Sequence, residues 1–347
     1  FGGPDFPVDI SRQEQWLRTN SHVDFFIPFE GELPFHGIVS ALHELDGDLI
    51  AAKEQRIRGT VSLNGQNLCI GSPAEQIKVL DEIPSPYVSG FLDQYFETSL
   101  WPITQTKRGC PFKCAFCVEG HDWYNKVRRR SAEGIEEELL YIARHANRNS
   151  MFHITDSNFL MFKDDVEVCR LLKDTQRQYG WPSFVSCTTG KRGQANMLEA
   201  SKLLGDSIRI SAAIQSFDEE VLKNIKRNNI PAAEILGLAM AVKDTQGLTY
   251  SEIIACLPGD TVSKYFETMA RLVNSGVSSI KLHTLLLLPG ASLDSDSSRK
   301  QFDFRTQWRA VTKSFGRYTF LGAEFDSIEA EEIVVATKSL SFDEYIK

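Results

Sequence analysis

Residues 110–117 read CPFKCAFC and place Cys110, Cys114 and Cys117 at C-x3-C-x2-C spacing. The chain has seven cysteines, an odd number, and the other four are scattered at Cys69, Cys169, Cys187 and Cys256. Three cysteines in one short loop favour metal binding in a reducing compartment over disulfide bonding. Three thiolates can hold three corners of a four-iron cubane and leave the fourth iron open to an external ligand.

A structural zinc site is the alternative for the same loop, with His121 as a fourth ligand. Zinc usually prefers two C-x2-C arms separated by a longer gap, and the sequence has no second arm. The cubane is therefore the leading interpretation, with zinc kept as the alternative.

The cysteine loop follows the first of six β-rich runs that alternate with longer helical patterns. These runs cover residues 101–106, 150–155, 183–188, 207–214, 249–257 and 279–288. The helical patterns between them cover residues 132–145, 163–179, 219–227 and 232–243. The alternation predicts βα units around a parallel sheet, either open or closed into a partial barrel. Because α/β folds bind ligands outside the carboxyl ends of their strands, the cysteine loop lies where a cofactor is expected.

The composition excludes several classes of protein. With 347 residues, 42% of them hydrophobic and 24% charged, the chain is globular rather than disordered or fibrous. Its 38 basic and 46 acidic residues give a net charge of -8, which argues against a surface built for nucleic acid. No apolar run reaches the roughly 20 residues that span a bilayer, and the start has no signal-peptide pattern. We therefore expect a cytoplasmic protein with neither a membrane nor a nucleic-acid partner.

With Phe116 before the third cysteine and a six-strand α/β pattern around it, the loop resembles that of the radical S-adenosylmethionine (radical SAM) family. The resemblance covers roughly residues 100–290 and implies a partial (β/α)6 TIM-like barrel. It implies a [4Fe-4S] cluster on Cys110, Cys114 and Cys117, with S-adenosylmethionine (SAM) on the fourth iron and Phe116 beside the cofactors. Reductive cleavage of SAM would yield a 5′-deoxyadenosyl radical, with the electron supplied by a donor such as flavodoxin or ferredoxin.

The resemblance also implies cofactor contacts on later strands. Asp156 and Asn158, at the end of the second strand, are expected at the SAM ammonium; the family's glycines are missing there, and a buried capping turn is the alternative. Thr188, after the third strand, is expected near the ribose. Ser211 and Gln215 share one face of the fourth strand and are expected near the methionyl carboxylate and ribose, with a structural polar network as the alternative.

The front of the chain resembles the closing half of a Rossmann-like cobalamin-binding domain, which precedes the radical SAM core in one branch of the family. The predicted elements are a turn at Gly2 and Gly3, a helix at 11–20, a strand at 23–28 and a helix at 35–45. The resemblance implies that the two glycines let the backbone approach the nucleotide tail of cobalamin, because glycine has no Cβ. We expect cobalamin to be bound by the full-length protein and poorly by this half-domain.

These patterns divide the chain into four segments. Residues 1–50 are the partial cobalamin-binding-like domain, 51–98 a hairpin around Asn64-Gly65 followed by a proline-rich connector, 99–292 the radical SAM core and 293–347 a partial C-terminal segment. The Ser/Asp-rich run 292–298 predicts a loop. We expect the chain to be truncated at both ends.

The leading functional interpretation is a cobalamin-dependent methyltransferase that acts on an unactivated carbon of a small molecule or natural product. A radical SAM enzyme that performs cyclisation, oxidation or sulfur insertion is one alternative. A zinc-stabilised binding module that docks a partner through the basic run 128–130 is another. The sequence assigns no catalytic residue.

Overall fold

A computed structural model describes residues 1–4, 6–147, 150–211, 213–229, 231–244, 247–320 and 322–347. The front of the chain, within residues 2–70, folds as a small α/β unit. Its elements are β1 (Gly2–Gly3), α1 (Ile10–Thr19), β2 (Phe25–Pro28), α2 (Glu32–Glu44), α3 (Leu49–Glu54), β3 (Val61–Asn64) and β4 (Asn67–Ile70). The sheet order is β1-β2-β3-β4; β1 is parallel to β2, and the other neighbours are antiparallel.

Strand β2 is the centre of this unit because both of its faces are buried. On one face Phe26 stacks on Phe6, with ring centroids 3.9 Å apart, and packs edge-on against Trp16 of α1. On the other face Phe25 and Ile27 join a core cluster with residues of α2. An apolar run buried on both sides is what a strand between two helical layers requires.

Two local predictions for the front unit need correction. Gly2 and Gly3 form a short strand rather than a turn, since they pair with Ile27 and Pro28 of β2. Their parallel partner lies far along the sequence, so a local turn pattern could not reveal it. The predicted hairpin is confirmed, but its two turn residues are Gly65 and Gln66, because Asn64 is the last paired residue of β3.

In the segment predicted as residues 99–292, the strands and helices lie between residues 103 and 284. Its elements are β5 (Ile103–Thr104), β6 (Lys107–Arg108), β7 (Arg128–Arg129), α4 (Ala132–His145), β8 (Met151–Phe159), α5 (Asp165–Tyr179), β9 (Phe184–Thr189), α6 (Gln194–Leu204), β10 (Arg209–Ser211), α7 (Glu219–Asn224), α8 (Ala232–Asp244), β11 (Leu248–Ala255), α9 (Val262–Asn274) and β12 (Ser279–Thr284). Within the described ranges, each of the six predicted strands is present. The predicted α/β fold is confirmed.

The parallel strands form an open arc. Strands β5, β8 and β9 make one parallel sheet, and β10, β11 and β12 make another. A parallel bridge between Val185 and Ile208 joins β9 to the start of β10. The short antiparallel pair β6 and β7 stands beside the arc and flanks the cysteine loop. The arrangement is an open, TIM-like barrel with its cysteine loop after the first strand.

Helices cover the outside of the arc because alternate strand residues point towards them. Phe152 and Ile154 of β8 are fully buried and share a core cluster with Leu139 of α4 and Leu172 of α5. Helix α4 begins where predicted, since Ser131 Oγ accepts a hydrogen bond from the Gly134 N–H at 3.0 Å. Each such buried side chain contributes about 1.5–3 kcal/mol to stability.

The prediction of a loop at 292–298 is wrong. The run contains a 3-10 turn at Ser292–Asp294 and the first residues of α10 (Asp296–Phe302). Ser295 caps α10 by accepting a hydrogen bond from the Ser298 N–H at 3.3 Å. The serine-rich run therefore begins a helix rather than forming a loop. The long antiparallel strands β13 (Arg305–Phe320) and β14 (Ala323–Ala336) and helix α11 (Phe342–Tyr345) complete the chain. Across the described residues, no helix has the length and apolar character to cross a membrane.

Candidate cofactor site

The cysteine loop lies between β6 and β7 and is fixed at two points by backbone hydrogen bonds. The Cys110 N–H donates to the Tyr124 carbonyl at 2.7 Å. The next anchor is the Ala115 N–H, which donates to the Ile225 carbonyl after α7 at 2.9 Å. Gly109 has a φ of +108°, and a Cβ there would lie 2.5 Å from a backbone oxygen, so only glycine fits at the entry to the loop. The loop backbone is therefore preorganised.

The three loop cysteines are free thiols in partly or fully buried positions. Burial raises the pKa of Cys117 to about 11 and also raises the pKa of Cys110. A metal centre needs the thiolates, so its binding must displace these protons. In the described part of the chain, no three His, Cys, Asp or Glu side chains converge on one metal ion. The thiolates of a cubane bind different iron atoms and need not meet at one point, so the cluster interpretation does not depend on such a group.

His121, the fourth ligand of the zinc alternative, has other contacts. Its Nδ1 accepts a hydrogen bond from the Trp123 N–H at 3.1 Å, and its ring lies 5.0 Å from that of Phe29. One ring nitrogen is thus occupied by the loop itself.

Two cations lie at the Cys114 sulfur, and neither was predicted to be there. Lys191 Nζ is 2.8 Å from Cys114 Sγ and 4.2 Å from the centre of the Phe112 ring. Arg227 Nη1 is 3.9 Å from the same sulfur. Burial lowers the pKa of both cations, and the mutual repulsion of Lys191 and Arg227 adds to the effect at Lys191. An anion bound beside them would offset that cost.

Three of the predicted SAM contacts carry buried polar atoms that lack a well-formed hydrogen bond to any described residue. These atoms are Asn158 Nδ2, Ser211 Oγ and Gln215 Oε1. The Asn158 amide faces the Cys110 sulfur, and Ser211 Oγ has the Tyr250 hydroxyl nearby. Buried polar atoms ordinarily have a hydrogen-bond partner, and a polar ligand would supply one to these three atoms. SAM offers the ammonium, carboxylate and hydroxyl groups that such a set requires, and the residues present fit it.

The other predicted contacts lie in different surroundings. The Asp156 carboxylate is 2% exposed and accepts hydrogen bonds from the N–H groups of Thr106 and Lys107, at 2.7 and 3.1 Å. These are the bonds of a buried cap that holds the chain leading into the cysteine loop. Thr188 is exposed, and Phe116 is half-buried in an apolar cluster. Contacts of these three residues with SAM stay predictions.

The front unit is joined to the cysteine loop by charged and aromatic contacts. Arg128 Nη1 donates to Glu30 Oε2 at 2.9 Å, and Arg108 Nη2 donates to Glu32 Oε1 at 2.6 Å. Phe29 stacks on Trp123 with ring centroids 4.9 Å apart. Three polar atoms at this junction, Trp123 Nε1, Arg128 Nε and Glu32 Oε2, are buried without a hydrogen-bond partner among the described residues.

The basic run proposed as a docking surface is paired within the chain. Arg128 binds Glu30, Arg129 lies 2.9 Å from Asp164, and Arg130 lies 2.9 Å from Glu138. These arginines stabilise the fold around the cysteine loop. The binding-module alternative loses the feature on which it depended.

The model of the Radical SAM superfamily matches residues 104–297. The chain is 26% identical to a 2-(S-pantetheinyl)-carbapenam-3-carboxylate methyltransferase of Streptantibioticus cattleyicolor, over 99% of this chain and 50% of that protein. It is 25% identical to the cobalamin-dependent radical SAM methyltransferase TokK of Streptomyces tokunonensis, over 100% of this chain and 50% of that protein. The chain thus spans about half the length of the curated relatives it matches.

The fold resembles that of solved radical SAM structures. The methyltransferase TsrM from Kitasatospora setae, with tryptophan and a SAM analogue bound, superposes with a TM-score of 0.57 at 14% identity, covering 85% of this chain and 58% of TsrM. The cobalamin-dependent enzyme OxsB gives a TM-score of 0.53 at 18% identity, covering 75% of this chain and 37% of OxsB. The family match extends over more than half of the 347 residues. The chain belongs to the radical SAM superfamily.

Proposed function

We propose that the whole protein is a cobalamin-dependent radical SAM methyltransferase that methylates an unactivated carbon of a small molecule or natural product. The observation that carries the proposal is the set of unsatisfied buried atoms on Asn158, Ser211 and Gln215, in a barrel whose first-strand loop holds three thiols. Nearly the whole chain is similar to two relatives named as methyltransferases, and this similarity supports the type of reaction.

Cys110, Cys114 and Cys117 would hold the [4Fe-4S] cluster. The cluster, when bound, supplies one electron to the sulfonium of SAM. The chain itself fixes the position of the loop. Gly109 adopts the backbone conformation with which the loop begins, and Asp156 binds the backbone that precedes it. Fixed ligands keep the geometry of the site constant during the electron transfer.

The SAM molecule would be oriented by Asn158, Ser211 and Gln215. Gln215 offers a buried acceptor and Asn158 a buried donor, so the site can bind both an ammonium and a carboxylate. Asp156, Thr188 and Phe116 complete the proposed set. The Asp156 carboxylate already accepts hydrogen bonds from the backbone before the loop, and we propose that it also contacts SAM.

Cobalamin would bind where the front unit meets the cysteine loop, and when bound it supplies a transferable methyl group. Gly3 has a φ of +127°, and no described atom lies within 4 Å of the position that a Cβ would occupy there. Gly2 packs closely on Ile27, where a Cβ would lie 3.3 Å from the carbonyl oxygen. The unsatisfied Trp123 Nε1 and Glu32 Oε2 could bind amide side chains of a corrin.

The proposal includes a small-molecule substrate and a one-electron donor such as flavodoxin or ferredoxin. Seven free cysteines favour a reducing compartment, which supports a cytoplasmic location. The negative net charge of -8 supports the expectation of no nucleic-acid partner.

The test uses the full-length protein, purified without oxygen and supplied with hydroxocobalamin, SAM and a chemical reductant. We expect 5′-deoxyadenosine and S-adenosylhomocysteine to form, the latter only when cobalamin is present. Formation of 5′-deoxyadenosine with no cobalamin-dependent S-adenosylhomocysteine would support cyclisation, oxidation or sulfur insertion instead. A carbapenam bearing a pantetheinyl thioether is the first substrate to try, with product mass as the readout.

A further inference from the structure

The two cations at Cys114 come from different elements and meet at one sulfur. Lys191 follows β9 and Arg227 follows α7, yet their nitrogens lie 2.8 and 3.9 Å from Cys114 Sγ. Arg227 is only 6% exposed. Both side chains therefore place positive charge against a residue proposed to bind the cluster.

Each cation is held in place by contacts that carry no negative charge. Lys191 lies over the Phe112 ring, and Arg227 Nε donates to Asn229 Oδ1 at 2.8 Å. Arg227 also donates to the Ala213 carbonyl. In the described stretches of the chain, neither cation forms an ion pair with a carboxylate. A buried cation without a counterion is unfavourable, and a Cys114 thiolate that carries a bound cluster would supply the negative charge.

We propose that Lys191 and Arg227 are positioning residues that raise the reduction potential of the cluster. The inference rests on the proposed function, since it requires a cluster on Cys114. One electron from an external reductant converts [4Fe-4S]2+ to [4Fe-4S]1+, and no bond to the protein forms or breaks. Fixed positive charge and N–H donors at a ligand sulfur stabilise the more negative, reduced state.

A redox titration of the full-length, cluster-loaded protein tests this, with dithionite as reductant and the electron paramagnetic resonance signal of the reduced cluster as readout. SAM is left out, so that the potential reports on the protein alone. Lys191→Met keeps the stem over Phe112 and removes the charge. We expect it to lower the equilibrium constant for reduction about tenfold, which is about 59 mV for a one-electron couple. Lys191→Arg should restore most of the potential.

Arg192→Met is the matched control. Arg192 is the next residue and is exposed, with its guanidinium carbon 6.0 Å from the centre of the Phe112 ring. Arg192→Met changes the net charge by the same amount as Lys191→Met but removes no contact with the Cys114 sulfur. We expect the control to shift the midpoint potential from its wild-type value by less than about a third of the shift in Lys191→Met.

The outcomes separate this inference from the proposed function. A wild-type protein without iron or sulfide contradicts the proposed function. A loaded Lys191→Met protein with the wild-type midpoint overturns the inference alone, even if it binds SAM more weakly. If Lys191→Met does not load, Arg227→Met is titrated instead, and a midpoint equal to wild type overturns the inference.

Discussion

Arg128 and Glu30 form a buried ion pair across the junction between the front unit and the cysteine loop. Arg128 Nη1 and Glu30 Oε2 are 2.9 Å apart, and both side chains are only 10% exposed. Arg128 lies in β7, which follows the cysteine loop, and Glu30 lies two residues after the end of β2. The pair therefore couples the position of the front unit to that of the metal-binding loop.

Glu30→Gln should destabilise the protein by about 3 kcal/mol, because it leaves the Arg128 charge buried without its partner. Urea unfolding followed by fluorescence measures the change. Glu14→Gln is the control in the same unit: its pair with Arg18 is 38% exposed on both sides and should cost less than about 1 kcal/mol. Equal losses in the two variants would contradict a special role for the buried pair.

Gln215→Leu should weaken SAM binding about tenfold, because a buried acceptor is lost at a cost above about 1 kcal/mol. Gln215 has a φ of +64°, and neither Gln nor Leu is β-branched, so the backbone strain is similar in both proteins. Equilibrium dialysis with the oxidised, cluster-loaded protein measures the affinity. The control is Gln194→Leu, which removes an exposed hydrogen bond from Gln194 Nε2 to Glu234 Oε2 (3.2 Å). This change should leave the affinity for SAM unchanged.

Asp260→Asn should stabilise the protein at neutral and alkaline pH. Asp260 is 1% exposed, and burial raises its pKa from 3.8 to about 6. The folded state thus binds a proton that the unfolded state has lost, so wild-type stability falls as the pH rises from about 4 to 6 and stays lower above that range. Asn keeps an acceptor for the Thr261 N–H, which lies 3.0 Å from Oδ1.

Thermal melts of both proteins between pH 4 and 8 measure this difference. The stabilisation by Asp260→Asn should reach at most about 3 kcal/mol at pH 8 and disappear towards pH 4. Asp174→Asn, at a site 71% exposed, should show no such trend. A wild-type protein that gains stability relative to the variant as the pH rises would show that the sign is wrong.

The fold of the core could be predicted because it depends on local pattern. Strands such as β8 and helices such as α4 are set by the periodicity of their own apolar residues and by a cap such as Ser131. The cysteine loop was equally evident, since its spacing is a property of eight consecutive residues. The parallel pairing of Gly2 with Ile27 depends on residues distant in sequence and was predicted as a turn.

The surroundings of the cluster site could be predicted only in part. Asn158, Ser211 and Gln215 were named from the family resemblance, and each has a buried polar atom for which the described residues provide no well-formed hydrogen bond, but their contact with SAM stays a prediction. Lys191 and Arg227 were not assigned to Cys114, because they lie 77 and 113 residues from it and no spacing connects them. Contacts of this kind arise from tertiary packing and carry no sequence signal.

The most direct test asks whether the loop cysteines hold a cluster that cleaves SAM. Iron, sulfide and 5′-deoxyadenosine are measured in anaerobically purified full-length protein and in the variants Cys114→Ala and Cys69→Ala. Cys69 is also a buried free thiol but lies in β4, outside the loop. We expect about four irons and four sulfides per chain, together with SAM cleavage, in the wild type and in Cys69→Ala, and we expect Cys114→Ala to lose SAM cleavage. A colourless wild-type protein without sulfide, or a Cys114→Ala protein that still cleaves SAM, would contradict this expectation.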